Sequence, residues 1–153
     1  MKPSEVRQRI LEEHERLRDS IYIVRNLARE AALGDSSRVP ILEKLAVGLG
    51  SELRTHLDLE DHHLVPVVLE CLGERAVADL SREHAEQRAL LECVLGRLRC
   101  EARLASVTAS ELRTLSELLL EDMAREEEEL LANANLWDDL PDGVVSLSET
   151  LLE

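Results

Sequence analysis

Leucine, isoleucine and valine recur along the chain at three- and four-residue intervals, with charged residues filling the positions between. Ile10, Leu17 and Ile21 form one such stripe. Leu45, Leu49, Leu53 and Val67 form a second, Val77, Leu80, Leu91 and Leu95 a third, and Leu115, Leu118 and Leu119 a fourth. This is the period of an amphipathic helix, not of a strand. Punctuation divides the pattern. Helix one is expected from Ser4, a residue suited to an N-cap, to Leu33, with Gly34 as its stop. "GDSSRVP" reads as a loop, and Pro40 suits the first turn of helix two. Helix two is expected to run to Val65, where Pro66 ends or kinks it before the short segment "VVLECLG". Helix three takes Glu74 to Leu104. Thr108 and Glu111 give a capping-box spacing that opens helix four, which ends near Ala132. Four long amphipathic helices with short loops predict an all-α, up-down-up-down four-helix bundle over residues 1–135. Residues 136–153 then form a tail with turn signals at Pro141–Gly143, packed on the bundle through Trp137.

Composition supports this division. The 153 residues are the length of one domain, and 44% are hydrophobic, enough for a sizeable core. There is no Phe, one Trp and one Tyr, so aliphatic residues do the packing. A net charge of −14 argues against a nucleic-acid partner, because phosphates need a basic face. No uncharged stretch is long enough to span a bilayer, and the N-terminus carries no apolar segment of a secretory signal. The three cysteines (71, 93 and 100) are odd in number and contain no CxxC. They read as small buried or half-buried residues of a reduced, cytoplasmic protein.

The chain also repeats itself. "EHERLRDSI" in helix one parallels "EHAEQRALL" in helix three: Glu-His, then Arg four residues on, then Ile or Leu seven on. "HLDLEDHHL" in helix two parallels "DMAREEEEL" in helix four, which aligns His56, Glu60 and His63 with Asp122, Glu126 and Glu129. Two copies of one αα-hairpin follow, with helices one and three parallel. At about 100° per residue, Glu60 and His63 fall within about 40° of His56 on the leucine-bearing face. Asp58, Asp61 and His62 fall on a solvated flank. The same projection turns His14, His84, Asp122, Glu126 and Glu129 inward. At about 1.5 Å rise per residue the His and Glu positions of all four helices reach comparable heights.

Ionised carboxylates in an apolar core cost many kcal/mol unless compensated. One HxxxE on a helix is weak evidence, since it also describes a surface pair. Five or six inward groups on four helices at matched heights call for a cation. Imidazole and carboxylate without thiolate suit iron or manganese, with zinc as an alternative. Carboxylates bridging two ions, with terminal histidines, are how a bundle holds a metal pair.

The chain resembles the hemerythrin-like (HHE cation-binding) domain family. The resemblance rests on Glu-His in helix one, "HLDLE…LVP" in helix two, Glu-His in helix three and Glu126 ahead of Leu130 in helix four, over residues 5 to 132. It implies a four-helix bundle around two non-haem iron ions and a small oxidant ligand (O2, peroxide or nitric oxide). His14, His56, Glu60, His84 and Glu126 match the family's ligand positions. Asp122 stands where the family pattern has His, and taken as the sixth donor it adds an anionic oxygen that favours ferric iron. Oxygen-carrying hemerythrins have a further His four residues after the helix-three one, a position held here by Arg88, so one metal is left less saturated.

Other charged residues have plainer readings. His63 and Glu129 are extra donors, hydrogen-bond partners of the donors, or an ion pair with each other. Arg18 and Arg88 pair with carboxylates, and Glu13 and Glu83 are helix-surface charges. A single ExxH, Glu60 to His63, is too little for a ferritin-like site. Three functions fit: a cytoplasmic di-iron sensor or scavenger, a peroxide-decomposing or ferroxidase-type enzyme at the same centre, and a metal-free helical interaction module. A sensor would act through a protein partner or a homo-oligomer.

Overall fold

The computed structural model describes residues 1–100 and 106–143. Helices α1 (Pro3–Ala32), α2 (Val39–Leu72), α3 (Glu74–Cys100) and α4 (Ser106–Glu126) form the four-helix bundle. Helix α1 packs on α2 and α4, and α3 packs on the same two. A π turn, Glu127–Leu131, continues α4, and a short α5 (Ala134–Asp138) follows it. No strand occurs among the described residues.

The helix ends are set by local chemistry. The cap of helix α1 lies two residues earlier than expected, at Lys2 rather than Ser4, and the helix begins at Pro3. Pro suits that position because its missing N–H would have had no helical partner. The Lys2 N–H is taken by the Glu5 carboxylate at 2.8 Å. Pro66 does not end α2, which runs on to Leu72. Burial of Leu64, Val67 and Val68 holds this last stretch helical at the cost of one backbone hydrogen bond. Gly73, at φ 88°, makes the whole connection between α2 and α3, which only a residue without Cβ accepts at little cost. Thr108 lies inside α4 instead of capping it, because the helix already runs at Ser106. The expected end of helix three at Leu104 and the tail beyond Gly143 lie outside the described residues. Cys71 is half-buried, whereas Cys93 is exposed, contrary to the buried or half-buried setting expected of the cysteines.

The core is interrupted. One apolar cluster gathers Leu17, Ile21, Leu42, Leu49, Leu53, Leu91, Leu95, Leu115 and Leu119. A second gathers Val6, Ile10, Leu64, Val67, Leu80, Leu131 and Trp137. Between them along the helices lies a buried polar layer: His14 between Ile10 and Leu17, His56 and Glu60 between Leu53 and Leu64, His84 between Leu80 and Leu91, and Asp122 and Glu126 between Leu119 and Leu131. Trp137, 1% exposed, closes the second cluster and donates its indole N–H to the Leu130 carbonyl at 2.9 Å. Arg7 binds the Leu131 carbonyl at 2.6 Å, so side chains satisfy carbonyls at the end of the π turn.

Candidate metal centre

All four helices send one buried group or more into the polar layer. His14 is 0% exposed, His56 3%, Glu60 1%, His84 1% and Glu126 4%. The Nε2 atoms of His14 and His56 lie 3.1 Å apart. Glu60 Oε1 lies 2.6 Å from His56 Nε2 and 3.2 Å from His14 Nε2. Its other oxygen, Oε2, lies 2.9 Å from His84 Nε2. Glu126 faces Glu60 in the opposite sense, with Oε2 3.5 Å from His14 Nε2 and Oε1 3.6 Å from His84 Nε2. Two groups of donor atoms result, His14–His56–Glu60 and Glu60–His84–Glu126, each with its atoms within 4.8 Å of one another.

These spacings suit a metal. Two donors about 2.1 Å from one ion and at right angles to each other stand about 3.0 Å apart. One buried atom makes the same point. His84 Nε2 lies 2.9 Å from a Glu60 oxygen yet forms no hydrogen bond with acceptable geometry. Convergence on a common centre explains a short contact that is out of line for a proton. The donors are three imidazole nitrogens and two carboxylates, with no thiolate, the balance that iron or manganese takes.

Outer partners orient the rings. Glu13 Oε2 lies 2.9 Å from His56 Nδ1, and Asp61 Oδ1 lies 2.7 Å from His84 Nδ1. A carboxylate can only accept, so each Nδ1 carries a proton and each Nε2 is turned to the centre. Glu127 Oε2 stands 3.8 Å from His14 Nδ1, a looser version of the same arrangement. Arg18 makes a forked pair with Glu127, and Arg88 holds Asp61 at 2.7 Å and Asp58 at 3.2 Å. The helical projection puts Glu13 and Asp61 among solvated charges, and it gives no reason to single out Glu127. Their signal is adjacency, since each stands directly beside a candidate donor.

The protonation balance follows from this geometry. Burial alone would push His56 down, but hydrogen bonds to Glu13 and Glu60 outweigh it and raise the ring to about 9. Burial likewise opposes protonation of His84, and Asp61, Glu126 and Glu60 together raise it to about 11. His14 is raised as well, against its burial, by Glu126 and Glu60. Burial would raise Glu60, yet close contact with His14, His56 and His84 holds it well below the usual carboxylate range.

Three expected residues stand apart from the two groups. Asp122 is buried, but Gln87 Nε2 donates to its Oδ2 at 2.8 Å and Arg125 pairs with Oδ1. Glu129 is exposed, contrary to the inward position given by a straight helix. The wider i→i+5 turn at Glu127–Leu131 shifts the register, burying Leu131 and rotating Glu129 outward. His63 is half-buried and belongs to neither donor group. His62 is exposed and donates Nδ1–H to the Asp58 carbonyl at 2.7 Å, on the flank where the helical projection put it.

Two spaces adjoin the layer. A void of about 10 Å³, room for one water, is bounded by Gln87, Asp122, Glu60, Glu126 and His56 and by Leu17, Leu53, Leu119 and Met123. An open groove of about 520 Å³ between α1 and α2 reaches the Glu13–His56 pair from solvent, past Ser20, Glu52 and Thr55. The groove is larger, but the small void touches the donors of both groups. No helix among the described residues is long and apolar enough to cross a membrane.

Residues 6–134 match the family model of the hemerythrin HHE cation binding domain. No curated protein and no solved structure matches the chain.

Proposed function

Because the chain belongs to the family of hemerythrin HHE cation-binding domains, we propose that it holds two non-haem iron ions and handles O2 or a related small oxidant, as a sensor or scavenger. Binding of a metal cation is the family's property, and His14, His56, Glu60, His84 and Glu126 are the residues that would hold it here. The observation that carries the two-ion reading is the placement of Glu60: one oxygen faces two histidines and the other faces a third. Glu126 mirrors it, so both carboxylates have the orientation of bridges. Bound iron supplies one-electron chemistry and a Lewis-acidic position for a small oxidant. The chain orients the His56 and His84 rings through Glu13 and Asp61, and the two leucine-rich clusters keep water from the layer on either side. The small void beside Gln87 and Met123, with room for about one water, leaves no space for an organic substrate. The same space favours a second reading, turnover of peroxide at the centre.

Metal analysis and a visible spectrum of aerobically purified protein test the proposal. The expected result is close to two ions per chain, with iron preferred. His56→Ala or Glu60→Ala should lose metal, and His62→Ala should keep it. Equal loss in all three variants, or a chain whose thermal stability ignores ferrous iron, would refute the assignment. Consumption of added peroxide over many turnovers would favour the enzyme reading over the sensor.

A further inference from the structure

We propose that Gln87 and Arg125 hold Asp122 off the metal pair, so that the position beside His84 keeps three protein donors and an open side where Asp122 would otherwise bind. This rests on the two-ion reading above. The donors divide unevenly. One position is faced by His14, His56, Glu60 Oε1 and Glu126 Oε2. The other is faced by His84, Glu60 Oε2 and Glu126 Oε1. In the internal repeat Asp122 is the counterpart of His56, and a symmetric centre would use it as the missing donor. Instead both its oxygens are engaged, by the Gln87 amide at 2.8 Å from α3 and by Arg125 one turn on in α4. Arg125 is anchored in turn by Glu83 at 3.1 Å.

The two copies of the repeat differ at three matched positions around this site. Gln87 stands three after His84, where the first copy has Leu17 three after His14. Arg125 stands three after Asp122, where the first copy has Leu59 three after His56. Leu17 and Leu59 are both buried core residues. The second copy thus replaces a histidine and two leucines with an acid and the two polar side chains that bind it. A buried amide such as Gln87, 4% exposed, is costly unless its hydrogen bonds are made. Here the amide's bond goes to Asp122, and the void lies against the same pair. A carboxylate held this way leaves the His84 position to an exogenous donor.

Anaerobic titration with ferrous iron, followed by oxidation and addition of azide, tests the latch. The parent should bind a second ion more weakly than the first, and its oxidised form should take azide. Asp122→Ala should leave the second-ion affinity within about threefold, because that carboxylate is not a donor. Gln87→Leu combined with Arg125→Leu copies the first repeat and frees Asp122. It should tighten the second ion by about tenfold or more and suppress azide binding. A tenfold or greater loss of the second ion in Asp122→Ala would overturn the latch, and that measurement stands even where the double variant does not fold. A folded double variant with unchanged ion and azide binding would also overturn it. A parent that takes a single ion would overturn the two-ion reading itself, and the latch with it.

Discussion

Metal uptake by this chain should release protons, and the number follows from the geometry. His56 lies between Glu13 at Nδ1 and Glu60 at Nε2, at 2.9 and 2.6 Å. His84 lies between Asp61 at Nδ1 and Glu60 at Nε2, at 2.7 and 2.9 Å. A ring with a carboxylate at each nitrogen favours two protons, which is why these histidines are raised to about 9 and about 11. At pH 7.5 both should therefore be largely protonated in metal-free protein. A metal takes the Nε2 lone pair, so each ring must give up one proton. Loading should therefore release about two protons per chain, and His14, also raised, adds to that number. For each proton displaced, apparent affinity rises about tenfold per pH unit below the ring's own value.

The assay is titration with zinc, which avoids oxidation, in weakly buffered solution with a pH indicator. Glu13→Gln should reduce the release, because His56 loses the carboxylate at Nδ1. Release of less than about half a proton per chain at pH 7.5 would refute the reasoning. The stability of metal-free protein follows the same linkage. Its raised histidines contribute stability that is fully present below their unfolded value of 6.5 and is lost as pH rises through about 9 and then about 11. Metal-free protein should melt at falling temperatures from pH 7 to 10, and the metal-loaded form should diverge from it over that range.

Two further outcomes are expected. Asp61→Ala should weaken metal binding about 10–100-fold with helicity retained, since His84 loses the partner that orients it, and Asp58→Ala at the exposed end of the same ion-pair network should not; equal affinities by competition with a chelator would show that the His84–Asp61 bond orients nothing. Trp137→Ala should cost about 3–5 kcal/mol in urea unfolding, because the indole is 1% exposed and caps the second apolar cluster; a loss below about 1 kcal/mol would mean that α5 does not hold that end of the bundle.

The helices and the inward donors were legible in the sequence because one period determines both. A leucine stripe at 3.6 residues per turn fixes which side of a helix is buried, and any His or Glu on that stripe is carried inward with it. Hence His14, His56, Glu60, His84 and Glu126 could be named in advance as inward groups, and the structure brings their side chains together. Partners reaching from a neighbouring helix do not follow that period. Asp61 is about 100° round α2 from Glu60, which looks solvated on a wheel, yet from there it reaches His84 on α3. Glu13 does the same from α1 to His56. Which flank faces a neighbour depends on how helices cross, and one helix's sequence carries no record of that. The persistence of α2 past Pro66 was hidden for a related reason, since burial of Val67 and Val68 outweighs a local preference.

The repeat carries the argument one step further. His84, Asp61 and Arg88 form one arrangement across the two copies, and His14, Glu127 and Arg18 form its counterpart: in each, the residue after Glu60 or Glu126 turns to the opposite copy's histidine and is held by an arginine four residues beyond that histidine. The two arrangements are not equal. The Asp61 contact is 2.7 Å, and the Glu127 contact is 3.8 Å. Helix α2 stays α-helical beyond Asp61, whereas the last helix widens into a π turn that starts at Glu127. That turn buries Leu131 and exposes Glu129, so the second copy gives up a tight ring contact and gains a closed apolar end. Asp122, with its partners Gln87 and Arg125, lies in the same helix one turn earlier. Both departures from two-fold symmetry thus involve the last long helix and the residues that touch it. A symmetric pair of hairpins would give two equivalent metal positions. On the two-ion proposal, concentrating the differences in one helix makes the positions inequivalent, with four protein donors facing one and three facing the other.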